Sequence, residues 1–273
     1  MTHSGADIAQ LLSGHGLRPS KALGQNFVAD PNTVRRIARI SGVSSGSRVL
    51  EIGAGLGSLT LALAETGASV VAVETDRRLT PVLRSVVEPV GVEVVEGDAM
   101  TIDLADLLAE RAAGPWSLVA NLPYNVATPL VLRTLVEVPA VTQLLVMVQR
   151  EVGERMAARA GEDAYGAVSV RIAYFARAEV VGRVPASVFI PRPRVESVLV
   201  RLERLPAPAV DPLLVGYERL DAVVRAGFGQ RRKMLRRSLA GVVEPGAFER
   251  AGVRPDARAE ELDISQWGRL AAL

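Results

Sequence analysis

From residue 48 onward, short apolar runs alternate with segments whose apolar positions recur every three to four residues. Residues 49–52, 69–74, 92–96, 118–121 and 142–149 are rich in Val, Leu, Ile and Ala, the pattern of strands buried on both faces. Between and after them, residues 58–65, 77–87, 104–112, 129–137 and 151–160 read as amphipathic helices. This alternation predicts an α/β fold with a mostly parallel sheet and helices on both faces. Asp30 followed by Pro31 is a helix start, and that helix is expected over 30–40. Residues 1–20 read as a flexible leader containing a short helix over 7–13.

After Gly161 the rhythm changes. Residues 168–178 and 195–203 read as longer strands, an antiparallel pair closing the sheet, separated by the proline-punctuated segment 184–193. Pro206-Ala207-Pro208 reads as a linker, and helices are expected over 212–228, 231–240, 245–251 and 265–273. The predicted organisation is therefore a leader (1–20), an α/β domain (21–205) and a small C-terminal helical domain (206–273).

The chain of 273 residues is 49% hydrophobic and 23% charged, enough to bury a proper core. Absence of cysteine excludes disulfides and cysteine-based zinc sites. His3 and His15 are the only histidines, so a His-centred triad is excluded and no metal site is expected. No stretch reaches the ~18 apolar residues of a membrane span, and no signal segment opens the chain, so a cytoplasmic protein is expected. The net charge of +2 conceals an asymmetry: residues 182–273 hold 16 basic against 11 acidic side chains. All basic residues but Lys21 and Lys233 are Arg, which suits phosphate and base-plane contacts, although charge alone does not specify nucleic acid.

Candidate chemistry sits where strands end. Gly53-Ala54-Gly55-Leu56-Gly57 lies between a strand and a helix, a turn in which backbone closely approaches a ligand. Its G-x-G-x-G spacing is one residue short of the dinucleotide fingerprint, which argues against a pyrophosphate. The nearby carboxylate of Glu51 is placed either to repel phosphate or to orient the loop's backbone amides. Glu74, at the end of the next strand, is placed to accept two ribose hydroxyls. Asp98, after the third strand, is placed to accept an exocyclic adenine amine. Together these describe an adenosine cofactor without pyrophosphate, and S-adenosylmethionine fits. Asn121-Leu122-Pro123-Tyr124 follows the strand at 118–121 and offers an amide, a free proline carbonyl and a flat ring, which suits a planar exocyclic amine. The tetrapeptide by itself would be a turn in most sequences.

Taken with Gly24-Gln25-Asn26-Phe27, Gly97-Asp98-Ala99, the segment 189–197 (Phe-Ile-Pro-Arg-Pro-Arg-Val-Glu-Ser) and Phe228-Gly229-Gln230-Arg231-Arg232-Lys233, these motifs occur in an order that resembles the 16S ribosomal RNA adenine N6-dimethyltransferases. The resemblance runs from about residue 17 to the C-terminus. It implies a class I methyltransferase (Rossmann-like) domain, S-adenosylmethionine as cofactor, and as substrate two adjacent adenosines near the 3′ end of 16S rRNA in the small ribosomal subunit. It further implies a cofactor site of Asn26, Val28, Gly53, Gly55, Glu74, Asp98 and Asn121. Val28 stands where relatives have Leu.

The expected mechanism has the Asn121 side-chain oxygen and the Pro123 carbonyl accept the two hydrogens of the target amine, with Tyr124 and Phe189 sandwiching the unstacked base. Core packing is the competing reading of Phe189. Arg231, Arg232, Lys233 and Arg236 are expected to form an RNA-binding face on a C-terminal helix, the competing reading being a solvated charge run. A monomer is expected. The alternatives are the 23S rRNA adenine methyltransferases of macrolide resistance and a ribosome-assembly factor that binds nucleic acid without methyl transfer.

Overall fold

In the computed structural model, residues 2–230 and 233–273 are described. The chain divides into two compact units, one formed by the residues up to Gly153 with Val180–Leu202, the other by Glu154–Glu179 with Glu203–Leu273. The boundary therefore differs from a single cut at 205: the chain leaves the first unit at 154, returns at 180 and leaves again after 202.

The first unit begins with α1 (Gly5–Gly14), β1 (Phe27–Val28) and α2 (Pro31–Ser41). Strands and helices then alternate: β2 (Arg48–Ile52), α3 (Ser58–Ala64), β3 (Ser69–Glu74), α4 (Thr80–Val87), β4 (Glu93–Glu96), α5 (Leu104–Ala109), β5 (Trp116–Asn121), α6 (Ala127–Glu137), β6 (Val141–Gln149) and α7 (Arg150–Ala157). After α8 (Ala167–Phe175) come β7 (Ala176–Val184), β8 (Phe189–Ile190) and β9 (Ser197–Arg204). The seven-stranded sheet has the order β4-β3-β2-β5-β6-β9-β7, with β2 parallel to both β3 and β5. The chain runs outward from β2 to β4, then jumps to β5 on the other side of β2. That reversal opens a crevice beyond the carboxyl ends of β2 and β5, where open α/β sheets take ligands.

The expected leader is anchored from Ser4 onward. Ser4 caps α1 reciprocally with Asp7, and Ile8 (0% exposed) and Leu12 pack on Phe27, Leu56, Leu79 and Val82. A second departure is a two-stranded antiparallel sheet of β1 and β8, which pairs Phe27 with Ile190 and Val28 with Phe189. Both segments read as loops in the sequence, because two residues carry no periodicity.

In the second unit, most of the strand expected over 168–178 is instead helix α8, and only its last three residues belong to β7. The Ser169 hydroxyl accepts the Gly166 N–H and donates to the Arg155 carbonyl, fixing a helix start. Tyr174 and Phe175 at its end pack on Tyr217 of α9 (Tyr217–Gly229), with ring centroids 5.3 and 4.8 Å apart. Aromatic packing here overrides the β-branched character of the run. The remaining helices, α10 (Leu235–Ser238), α11 (Ala247–Arg250) and α12 (Ile264–Ala271), are shorter than the apolar pattern suggested, and their core centres on fully buried Trp267. Among the described residues, no helix is long and apolar enough to cross a membrane.

Candidate active site

The glycine loop closes the carboxyl end of β2. Gly55 has φ +61° and a Cβ there would lie 3.0 Å from the Phe27 ring; at Gly57, φ +86°, it would lie 2.8 Å from Val87. Only glycine fits both positions, so the loop backbone packs directly beneath its neighbours. Glu74 locks the loop to β3: its carboxylate accepts the Gly55 N–H at 2.7 Å and the Asp76 N–H at 2.8 Å. Burial raises the pKa of Glu74, and these two backbone donors oppose the rise. A carboxylate has about four acceptor directions, so capacity remains for a pair of hydroxyls.

Asn26, Val28, Glu51, Gly53, Gly55, Glu74, Asn121 and Tyr124 line one cavity. Asp98 belongs to an adjoining slot walled by Ile52, Val73, Met100, Val126 and Leu130, which shares Gly53, Thr75 and Pro123 with the first. Asp98 is exposed at this slot, and its Oδ1 accepts the Met100 N–H at 2.8 Å. An apolar slot with a carboxylate at its edge matches a flat base carrying an amine.

Glu51, on β2, is 1% exposed, and its Oε2 has no hydrogen-bond partner among the described residues. The Ser58 hydroxyl, at the start of α3 and also in the cavity wall, is likewise buried with no partner among the described residues. Burial pushes the Glu51 carboxyl up to about 8, the Thr60 hydroxyl opposing the rise and the Glu74 carboxylate adding a smaller one. Buried polar atoms rarely go unsatisfied, so this wall fits a ligand bearing a charged donor, as the methionyl ammonium of S-adenosylmethionine does.

At the end of β5, Asn121 Nδ2 donates to the Asn26 backbone carbonyl at 3.1 Å. This fixes the amide with Oδ1 unengaged among the described residues. The Pro123 carbonyl is not the second acceptor that the sequence suggested. It already accepts the N–H groups of Val126 and Ala127, both at 3.1 Å, because it starts α6. Leu122 also lines the cavity, and its carbonyl accepts no hydrogen bond among the described residues. No residue-type signal marks a backbone carbonyl, so the sequence could not separate the two.

Tyr124 is held by a 3.0 Å hydrogen bond between its hydroxyl and Ser197 Oγ at the start of β9. Ser197 was present in the sequence motif, but its partner depends on tertiary structure. Phe189 is not brought to the cavity wall. It is 3% exposed and lies in the main apolar cluster with Val28, because pairing of β8 with β1 turns it inward. Core packing therefore accounts for its position. The C-terminal basic face is also altered: Lys233 precedes α10 and Arg236 and Arg237 lie on that single turn, all three exposed. Arg231 and Arg232 lie outside the described residues.

A switch-point crevice whose glycine loop is locked by a buried acid, beside an apolar slot and an Asn-Leu-Pro-Tyr corner, defines a class I methyltransferase. Comparison with known proteins narrows this. Residues 16–273 match the family model described as ribosomal RNA adenine dimethylase. The chain is 46% identical over 278 residues to ribosomal RNA small subunit methyltransferase A of Nocardia farcinica, covering 98% of this chain and 94% of that one. It is 47% identical to the protein of the same name from Leifsonia xyli, covering 97% and 95%. Among solved structures, it resembles the 23S rRNA methyltransferase ErmE (TM-score 0.69, 26% identity, covering 90% and 98%). A dimethyladenosine transferase from Plasmodium falciparum shares the fold (TM-score 0.73, 24% identity, covering 88% and 94%). The chain belongs to the ribosomal RNA adenine dimethylase family, and its cofactor is S-adenosylmethionine.

Proposed function

We propose that the protein dimethylates the N6 amines of two adjacent adenosines near the 3′ end of 16S rRNA in the small ribosomal subunit, as a cytoplasmic monomer acting during subunit maturation. The observation that carries this reading is the Asn121 amide, anchored through Nδ2 to the Asn26 carbonyl and offering Oδ1 beside the glycine loop. The adenine N6 lone pair is delocalised into the ring, which makes the amine a poor nucleophile. Asn121 Oδ1 accepts one amine hydrogen and the Leu122 carbonyl accepts the other. Nitrogen becomes more tetrahedral, and its lone pair is freed for in-line attack.

When bound, S-adenosylmethionine supplies a methyl group on a sulfonium sulfur. Glu51 would hold its ammonium end, Glu74 its ribose hydroxyls and Asp98 its adenine amine, with Asn26, Val28, Gly53 and Gly55 forming the walls. Tyr124, tethered through Ser197, presents its face to the unstacked target base, a contact worth about 1–3 kcal/mol. The amine proton leaves to water after transfer, so no base of matched pKa is needed. Lys233 and Arg236, with Arg231 and Arg232, contact phosphates.

The test is incubation with labelled cofactor and either unmethylated small subunits or 23S rRNA, followed by nucleoside analysis. Dimethyladenosine in the small-subunit RNA is the expected product, and label confined to 23S rRNA would refute the assignment. Asn121→Ala is expected to abolish methylation while RNA affinity changes little.

A further inference from the structure

Gln25 lies in the loop before β1 and makes two side-chain hydrogen bonds in opposite directions. Its Oε1 accepts the Ser20 N–H at 2.7 Å, and its Nε2 donates to Asp76 Oδ2 at 2.8 Å. Asp76 is itself a fixed point. It is 5% exposed, its N–H is held by Glu74, and the Arg78 guanidinium keeps its carboxyl down at about 2. Short of the Asn26 carbonyl, the other bonds of the loop between residues 20 and 26 stay within it. They run from Gln25 N–H to the Ser20 carbonyl, Leu23 N–H to Ser20 Oγ, Gly24 N–H to the Lys21 carbonyl and Asn26 Nδ2 to the Gly24 carbonyl. The Gln25 side chain is therefore what ties the loop to Asp76. The next residue is Asn26, whose carbonyl orients the Asn121 amide.

We propose that Gln25 is a positioning residue for methyl transfer: by clamping the loop to Asp76 it sets the Asn26 carbonyl, which in turn holds Asn121 with Oδ1 toward the substrate amine. The inference rests on the proposed role of Asn121 and adds a residue outside the set expected to touch the cofactor. An unclamped loop lets the Asn121 amide rotate, and a rotated amide presents a donor where an acceptor is required. Misplacement on the order of 1 Å at a reacting group can cost ~100-fold in rate.

The experiment uses the full chain with Gln25→Met, which keeps length and apolar volume but loses both bonds, and Gln25→Glu alone and combined with Asp76→Asn. The Glu variant sets two carboxylates face to face; the double variant restores a donor–acceptor pair with its polarity reversed. Asp76→Asn alone is the reference for the Arg78 Nη2 bond that Oδ2 also accepts. Expected results are a fall in kcat of about ten- to a hundredfold for both single Gln25 variants, with KM for RNA within about twofold and little change in Tm. The double variant is expected to recover most of the loss relative to Gln25→Glu.

Asn121 side-chain amide protons, followed by NMR in the cofactor-free protein, provide a readout independent of turnover. Their exchange is expected to accelerate at least tenfold in Gln25→Met. Unchanged kcat and unchanged exchange in that variant would overturn the clamp, as would a loss that tracks Tm and is not recovered by the double variant. If the wild-type protein fails to methylate small-subunit RNA, the functional reading falls instead, and the amide exchange alone decides the clamp.

Discussion

Asn121 and Glu51 illustrate two opposite uses of a polar side chain in one cavity. The Asn121 amide has its donor spent on the Asn26 carbonyl, so its chemistry is decided before any substrate arrives. Glu51 is buried with an oxygen left unpartnered, which costs stability until a donor fills the site. Its folded-state pKa near 8 lies above the ordinary carboxylate value, so the folded protein holds a proton that the unfolded chain has released. Stability of the cofactor-free protein therefore falls as pH rises between about 5 and 8 on account of this group, and the contribution levels off above 8. Replacement by Gln removes that slope: the Tm advantage of Glu51→Gln over the wild type is expected to widen from pH 5 to pH 8 and then stay constant. A gap that does not vary with pH would mean that Glu51 is ionised throughout. A cationic ligand favours the charged form, so wild-type cofactor affinity is expected to rise over the same range, while that of Glu51→Gln stays low and flat.

Among the elements, α1 has the most local consequence. It covers the back of the glycine loop through Ile8 and Leu12, which press on Leu56 and Phe27, and the Phe27 ring in turn rests against Gly55. His3 adds a hydrogen bond to the Leu56 carbonyl at 3.1 Å. Cavity formation at a fully buried aliphatic position costs about 2–5 kcal/mol, so Ile8→Ala is expected to lower the unfolding free energy by an amount in that range, read from chemical denaturation. A solvated leader would show no change. The same variant is expected to weaken cofactor binding, measurable by calorimetry, because the loop it supports is the floor of the cavity. α10 is the converse case, a single turn held by backbone bonds from Leu235 to Ala257 and from Arg236 to Pro255, leaving its charges outward.

For the molecule as a whole, division into an α/β unit and a helical unit separates chemistry from charge. The residues lining the cavity fall in the first unit, whereas Lys233, Arg236 and Arg237 fall in the second. Binding to RNA is expected to weaken steeply with salt, because phosphate neutralisation releases counterions. Replacing Lys233, Arg236 and Arg237 by Ala should lower RNA affinity and flatten the plot of log affinity against log salt, by about one unit for each phosphate no longer neutralised. Cofactor affinity should be unaffected. An unchanged slope would make this face a solvated charge run.

What the sequence determined by itself was everything carried by residue type at fixed spacing. The alternation of apolar runs and helical periods specifies the parallel sheet, because burial on both faces leaves no other use for such strands. Three glycines after β2, an acid ending β3 and an amide ending β5 converge once the strand order reverses, so the cavity was legible in one dimension. Only the tertiary structure decided the partners of groups whose type is ambiguous. Pro123 and Leu122 carry identical carbonyls, and it is the start of α6 that consumes one and leaves the other. Phe189 is equally suited to stacking and to packing until β1 pairs with β8 and turns it inward. The segment 168–178 has the composition of a strand, and most of it becomes helix where Tyr174 and Phe175 pack on Tyr217. Spacing along the chain fixes which groups are available, but competition for hydrogen bonds and buried area in three dimensions decides which of them remain free to act.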